Sequence, residues 1–243
     1  MPKYVCSWSG GKDSTAQVIL AHIYGLPLDV ICFTEVMFDI ENDISGENPL
    51  HMRWIREIAA PLFESWGYEV KILRSDSDYL HLFNHIIKRA KDESHIGKSY
   101  GFPITGLCNV KRDLKCKPMD RYCKSIGDEI IKYVGIAADE PKRLKSLHKD
   151  PTKVSLLEEY DYTEQMSREL CEKYGLLSPG YEFSNRGGCF FCPHAKLKEM
   201  ALIKQDYREV WEQFVALEER TDIAFSKWNV YSKLNLHEIN ELI

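Results

Sequence analysis

The sequence predicts an α/β fold: a doubly wound, mostly parallel sheet with a helical, cysteine-containing C-terminal region. Three observations carry this expectation. Strand-like apolar runs alternate with helix-like segments through the first half of the chain, the order that builds a parallel sheet covered on both faces. The first such run passes straight into Ser9-Gly10-Gly11-Lys12-Asp13-Ser14 and then into a helical pattern. Beyond about residue 150 the alternation gives way to helical segments around Cys189 and Cys192.

The elements follow in order. Residues 3–9 form a short β-prone run, and residues 15–24 a helical stretch that ends near Gly25. Residues 28–36 read as a second strand, apolar enough to be buried on both faces. A polar loop, 39–49, precedes an amphipathic helix over 51–66 that stops at Gly67. Residues 68–73 are a third strand and 79–90 another helix. The apolar run Ile130, Ile131, Tyr133, Val134 and Ile136 marks a fourth strand over 129–138. Beyond Pro151, residues 155–160 read as a short strand and 163–174 as a helix capped by Thr163. A helical tail is expected over 196–220. These segments suggest an α/β domain over 1–150 and a C-terminal extension over 151–243 packed on it.

Composition narrows the class. Hydrophobic residues make up 44% of the 243 and charged residues 28%, as in a globular protein with a sizeable core. A net charge of -5 argues against binding nucleic acid through bulk positive charge. It leaves a local patch, Lys111, Arg112, Lys115, Lys117, Arg121 and Lys124, to be read as a phosphate-facing surface or a solvated helix face. Met1 to Val5 lead directly into the glycine loop with no signal-peptide pattern, and no apolar run reaches membrane-spanning length. A cytoplasmic protein with no membrane partner is therefore expected. In a reducing compartment, eight cysteines point to metal binding or catalysis rather than a disulfide framework.

The glycine loop carries the chemistry. Two glycines at a strand-to-helix junction let backbone N–H groups converge on phosphate oxygens, and the helix N-terminus adds its partial positive charge. Lys12 supplies a mobile full charge, and Ser9, Ser14 and Thr15 supply hydroxyl donors. Asp13, which phosphate repels, makes sense as a magnesium ligand or a helix cap. The spacing is not that of the Walker loop, which places four residues between its first glycine and the Gly-Lys pair.

The run from Ser9 to Ser14, followed by Thr15, resembles the signature of the PP-loop superfamily, adenine nucleotide alpha hydrolase-like enzymes that cleave ATP between the α and β phosphates. Within it the chain resembles the phosphoadenosine-phosphosulfate (PAPS) reductase-like family, through residues 108–118 (CNVKRDLKCKP), 133–143 (YVGIAADEPKR) and 186–193 (RGGCFFCP). The resemblance implies that Gly10, Gly11, Lys12, Asp13 and Ser14 hold the pyrophosphate end of ATP. It places the adenine along backbone at residues 7–9 and 33–36, which brings in Ser7, Ser9, Glu35 and Val36. The stretch beginning at Gly135 resembles the family's Gly-Ile-Arg-Ala-Asp-Glu-Ser-x-x-Arg, with Ala137 in place of the arginine and Asp139, Glu140 and Arg143 retained. On that likeness Arg143 stabilises charge on the α-phosphate, Lys115 acts as a second cation, and Asp139 or Glu140 holds Mg2+ or orders the loop. PAPS reductases proper carry a nucleophilic cysteine in a C-terminal Glu-Cys-Gly motif. This chain has no cysteine after Cys192.

Cys189 and Cys192 form a Cys-x-x-Cys whose spacing lets two thiolates face one centre. Cys108, Cys116, Cys123, Cys171 and His194 are candidates to complete four ligands. Related iron–sulfur adenylylsulfate reductases combine cysteines of a Lys-x-x-Pro segment with a later Cys-x-x-Cys. Residues 115–118 look similar, which favours Cys108 and Cys116 beside Cys189 and Cys192. A [4Fe–4S] cluster, a structural Zn2+ and a metal-free redox pair all stay open. Cys6 and Cys32 read as core residues, as do Tyr207, Trp211 and Phe214 at helical spacing. His51, His81, His85 and His95 show no paired metal spacing.

The resulting expectation is an ATP- and Mg2+-dependent enzyme that adenylates an acceptor and releases pyrophosphate. Its expected chemistry is sulfur transfer of the tRNA or DNA thiolation type, with a cysteine desulfurase-like sulfur donor, a nucleic-acid substrate and a homo-oligomeric state. Two alternatives are a sulfonucleotide reductase and a nucleotide-sensing module without turnover.

Overall fold

The computed structural model describes residues 2–104, 106, 108–184, 188–226 and 229–243. The chain forms two compact units, each assembled from three stretches. The first comprises Met1–Thr34, Pro49–Leu73 and Pro118–Tyr181, and the second Glu35–Asn48, Arg74–Lys117 and Glu182–Ile243. Compactness therefore does not divide at residue 150, where one boundary was expected. Residues 151–181 join the first unit because their apolar side chains fill its core.

The first unit is built on five strands: β1 (Lys3–Trp8), β2 (Val30–Glu35), β3 (Glu69–Arg74), β4 (Ile130–Val134) and β5 (Lys153–Val154). They lie in the order β3-β2-β1-β4-β5, with β1 parallel to both β2 and β4, and β4 parallel to β5. The α/β expectation holds. Side chains alternate across the sheet with the strand period of two. Cys6, Trp8, Ile31 and Phe33 enter one core, and Val5, Val30 and Cys32 the other. All six residues of β2 are buried, as its apolar run predicts. Cys6 and Cys32 are core residues, and burial pushes both thiols up, Cys32 to about 12.

Helix α1 (Lys12–Tyr24) covers the first face and ends at Gly25, whose φ of 61° gives the left-handed cap. Its neighbours there are Leu156–Glu159 and Glu164–Lys173. The helix Lys117–Ile126 covers the other face with Met119 and Cys123. Ser155 overturns the strand expected at 155–160. Its hydroxyl donates to Ile136 O (2.6 Å) and accepts from Glu158 N–H (3.5 Å), starting a helix directly after the two-residue β5. Thr163 caps the next helix as predicted.

The second unit has an aromatic core in which Tyr79 stacks on Phe191 at 3.9 Å and Phe38, Phe190 and Phe214 pack together. Met37–Asp39 pairs antiparallel with Ile44–Ser45 inside the expected polar loop. The helix expected over 79–90 is only Tyr79–Phe83, because the backbone of 85–87 is taken up by 97–100. The expected tail helix breaks at Tyr207 (φ −136°, ψ 52°) into Leu197–Asp206 and Arg208–Ala216. Trp211 and Phe214 are core, as expected. Arg186, Gly187 and Trp228 lie outside the described residues.

Candidate functional site

In the first unit, the chain leaves β1, winds β2 and β3 to one side, and returns to place β4 on the other. Ligands collect at the carboxyl ends of strands where the winding direction reverses. Two segments meet at that point between β1 and β4: the glycine loop after Trp8 and the turn after Val134. Their approach is close. A Cβ on Gly135 would stand 2.5 Å from Ser14 N and 2.6 Å from Asp13 C, so only glycine fits. The candidate role of Gly135 is thus to let the two segments meet. Gly10 has φ of +71°, and a Cβ there would stand 2.5 Å from the His51 ring.

The loop is internally bonded. Ser9 N–H donates to Ser14 Oγ (3.1 Å), Ser14 Oγ donates to Gly11 O (3.0 Å), and Gly11 N–H donates to Ser9 Oγ (3.3 Å). Lys12 N–H, one of the first-turn amides that no helix carbonyl can satisfy, donates to Tyr181 Oη at 2.9 Å. Thr15 is fully buried, and its hydroxyl accepts from the Trp8 indole at 3.0 Å. Ser7 sits within β1, in register with Cys32 and Val134.

Asp13 does not cap α1, whose N-cap is Gly11 with no side-chain bond. It joins Glu140 and Glu164 in a set of carboxylates whose oxygens lie within 4.8 Å of one another. Lys12 Nζ stands among them, 2.8 Å from Asp13 and 3.4 Å from Glu164. Burial pushes the Asp13 carboxyl up, Lys12 opposes this, and Glu164 and Glu140 add to it. Arg143 Nη1 lies 2.6 and 2.7 Å from the two Glu140 oxygens, which ties its guanidinium to this group. Asp139 accepts from Glu164 N–H at 3.0 Å, so it orders the helix that presents Glu164. An all-oxygen donor set beside the glycine loop suits Mg2+, which takes one or two carboxylates and completes its shell with phosphate and water.

In the second unit, Cys189 and Cys192 flank a tight turn closed by Cys192 N–H donating to Cys189 O (3.2 Å). Phe190 N–H donates to Gly46 O (2.9 Å) and Cys189 bridges Glu47, which fixes the turn on residues 46–48. Lys115, expected near phosphate, instead pairs with the buried Glu47 at 2.8 Å. Burial alone would lower its pKa, but Cys189, Glu47 and Cys192 together hold it above the usual lysine range. Lys115 is thus a residue of that segment that lies near the pair. Adjacent helical residues do not share a face, and Cys116 is exposed, as is Cys108. Four thiolates on one zinc would stand about 3.8 Å apart given its bond length. Among the described residues no three cysteines come within 4.8 Å, so no preformed mononuclear site is present. A four-iron cluster, where each cysteine binds its own iron, sets no such limit. All eight cysteines are unbridged.

Two adenine candidates are committed within the same unit. Glu35 is fully buried and accepts from Arg74 Nε at 2.9 Å. Val36 N–H donates to Glu47 (3.3 Å), which leaves no amide proton for a base. In the basic segment, Asp113 holds Arg112 and Lys117 at 2.6 Å each, which favours the solvated-face reading there. Sequence reasoning missed Glu164, His51 and Tyr181, since none carries a motif and each reaches the loop only through the fold.

No protein-family model matches the chain. It is similar to an uncharacterized protein of Methanocaldococcus jannaschii, 22% identical over 221 residues, which covers 86% of this chain and 40% of that protein. The chain thus spans less than half the length of that relative. Among solved structures it is similar to the U34-tRNA thiolase NcsA from Methanococcus maripaludis with its [4Fe-4S] cluster. That likeness has 15% identity and a TM-score of 0.45, and it covers 92% of this chain and 74% of the other. Among the described residues no helix is long and apolar enough to cross a membrane.

Proposed function

We propose that this chain is an ATP-cleaving enzyme of the PP-loop type that adenylates an acceptor and releases pyrophosphate. The observation that carries the reading is the glycine loop at the β1/β4 crevice with Asp13, Glu140 and Glu164 gathered beside it. Ser9 to Ser14 grip the pyrophosphate end of ATP. Asp13, Glu140 and Glu164 would hold Mg2+, which supplies charge neutralisation on the phosphate oxygens. Lys12 and Arg143 add fixed positive charge where negative charge develops as an acceptor oxygen attacks the α-phosphorus. Gly135 keeps the loop and the 135–143 turn in register, so catalysis rests on positioning and charge rather than on a protein nucleophile.

The acceptor we favour is a tRNA or DNA component, activated for sulfur delivered from a cysteine desulfurase-like donor. Cys189 and Cys192 would receive or hold that sulfur. What supports this is the pair's tight turn with the Lys115 ammonium beside it.

Incubation with α-labelled ATP and candidate acceptors tests the reading. AMP and pyrophosphate should appear together, and Lys12→Ala should lower their formation about 100-fold or more. If Lys12→Ala only weakens ATP binding and the wild-type protein never forms AMP, the chain is a nucleotide sensor. Protein purified without oxygen, analysed for iron, zinc and labile sulfide, decides between the three readings of the cysteine pair.

A further inference from the structure

Residues 178–181 close on the glycine loop through a ring of hydrogen bonds that the reaction above does not use. His51 is 1% exposed. Its Nε2 lies 3.1 Å from Ser9 O, and since a carbonyl only accepts, Nε2 carries the proton. Its Nδ1 lies 2.7 Å from Ser178 Oγ. Ser178 then holds the next turn twice: Oγ accepts from Gly180 N–H (3.3 Å) and the carbonyl accepts from Tyr181 N–H (3.1 Å). The Tyr181 hydroxyl completes the ring by accepting from Lys12 N–H at 2.9 Å. The ring begins on the loop's first residue and ends on its fourth.

Tyr181 is an informative partner for that amide. The first-turn N–H groups of a helix are the donors a phosphate oxygen takes. A phenol that accepts the Lys12 proton keeps its own O–H, and among the described residues no acceptor takes it. The hydroxyl also lies 3.4 Å from where a Gly11 Cβ would be, on the face of the loop that glycine leaves open. Burial keeps the phenol protonated, pushing its pKa up to about 12 against the opposing Lys12 hydrogen bond. The Arg168 guanidinium, 6.0 Å from the ring centroid, helps to hold the ring.

We infer that the Tyr181 hydroxyl is a pyrophosphate-contacting group of the glycine loop, which the His51–Ser178 ring aims at a phosphoryl oxygen. This rests on the nucleotide reading proposed above and extends it from the loop to a residue outside it. Tyr181 relays the Lys12 amide: its oxygen accepts a hydrogen bond from the loop, and its O–H donates one to the ligand. His51 and Ser178 are positioning residues that act through Tyr181.

Calorimetric titration of the full chain with Mg-pyrophosphate and, separately, with AMP tests the inference. Tyr181→Phe should weaken pyrophosphate binding about 10- to 150-fold, the range for one hydrogen bond to a charged group, and leave AMP binding unchanged. Ser178→Ala should weaken pyrophosphate in the same selective way but less, and it supplies the answer if Tyr181→Phe melts early. Unchanged or tighter pyrophosphate binding by Tyr181→Phe overturns the inference, as does an equal loss for both ligands. In either case, wild-type binding that Lys12→Ala weakens leaves the nucleotide reading standing. A wild-type protein that binds neither ligand overturns both.

Discussion

At the scale of single residues, the candidate site depends on contacts too close to tolerate one extra methyl group. Gly135 is the sharpest case, because its missing Cβ would meet the Ser14 amide at 2.5 Å, and backbone cannot swing aside as a side chain can. Gly135→Ala must therefore displace the start of α1 or the turn after β4. Overpacking of this kind costs about 1–3 kcal/mol. The expected result is a melting temperature lower by several degrees, with pyrophosphate affinity reduced well beyond what stability alone accounts for. Wild-type-like titration and melting curves would show that the two segments do not need this approach. Glu164 provides a second residue-level expectation. If the three carboxylates share Mg2+, Glu164→Gln should raise the Mg2+ concentration for half-maximal ATP cleavage several-fold, since one ligand charge is lost. An unchanged Mg2+ titration would leave Asp13 and Glu140 as the only carboxylates involved. The sequence made Gly10 to Ser14, Asp139, Glu140 and Arg143 legible because they sit in contiguous, patterned runs. Glu164, His51 and Tyr181 were not legible, since each lies in a helix or turn whose pattern reports only local structure.

At the scale of elements, periodicity read the long apolar runs well and failed where a single polar side chain decides. The buried β2 and the alternating β1 followed from their hydrophobic patterns. The supposed strand at 155–160 is a helix because the Ser155 hydroxyl serves both Ile136 O and Glu158 N–H, a tertiary choice that no window of sequence displays. The helical run through Lys111–Cys116 shows how charge operates at this scale. Asp113 sits between Arg112 and Lys117, and these partners hold its carboxyl down at about 2. A carboxylate whose pKa falls on folding stabilises the protein above its unfolded value of about 3.9 and loses that contribution as pH drops through about 2. Asp113→Asn should therefore flatten the stability curve between pH 4 and pH 2, measured by denaturant titration at each pH. A variant whose acid sensitivity in that window matches wild type would show that these ion pairs are fully screened.

At the scale of the whole molecule, the chain passes between its two compact units five times, so no single cut separates them. A sequence read from end to end suggests a break near residue 150, where the strand–helix alternation stops, but chain order is a poor guide to which side chains share a core. Residues 151–181 bring Leu156, Leu157, Leu170, Cys171 and Leu176 into the first unit, each 8% exposed or less. Burying a large aliphatic side chain contributes about 1.5–3 kcal/mol. The four leucines alone thus supply about 6–12 kcal/mol by that measure, comparable to the roughly 5–15 kcal/mol net stability of a whole domain. A fragment of residues 1–150 also loses β5 from the sheet edge and Glu164 from the candidate site. It should be unfolded, with a poorly dispersed amide spectrum and no pyrophosphate binding. Adding residues 151–181 to the fragment restores the missing core side chains of the first unit. The longer fragment should therefore recover secondary structure by circular dichroism more fully than 1–150 does. A well-dispersed spectrum from residues 1–150 alone would show that the helices after β4 are dispensable, and that the core of the first unit closes without them.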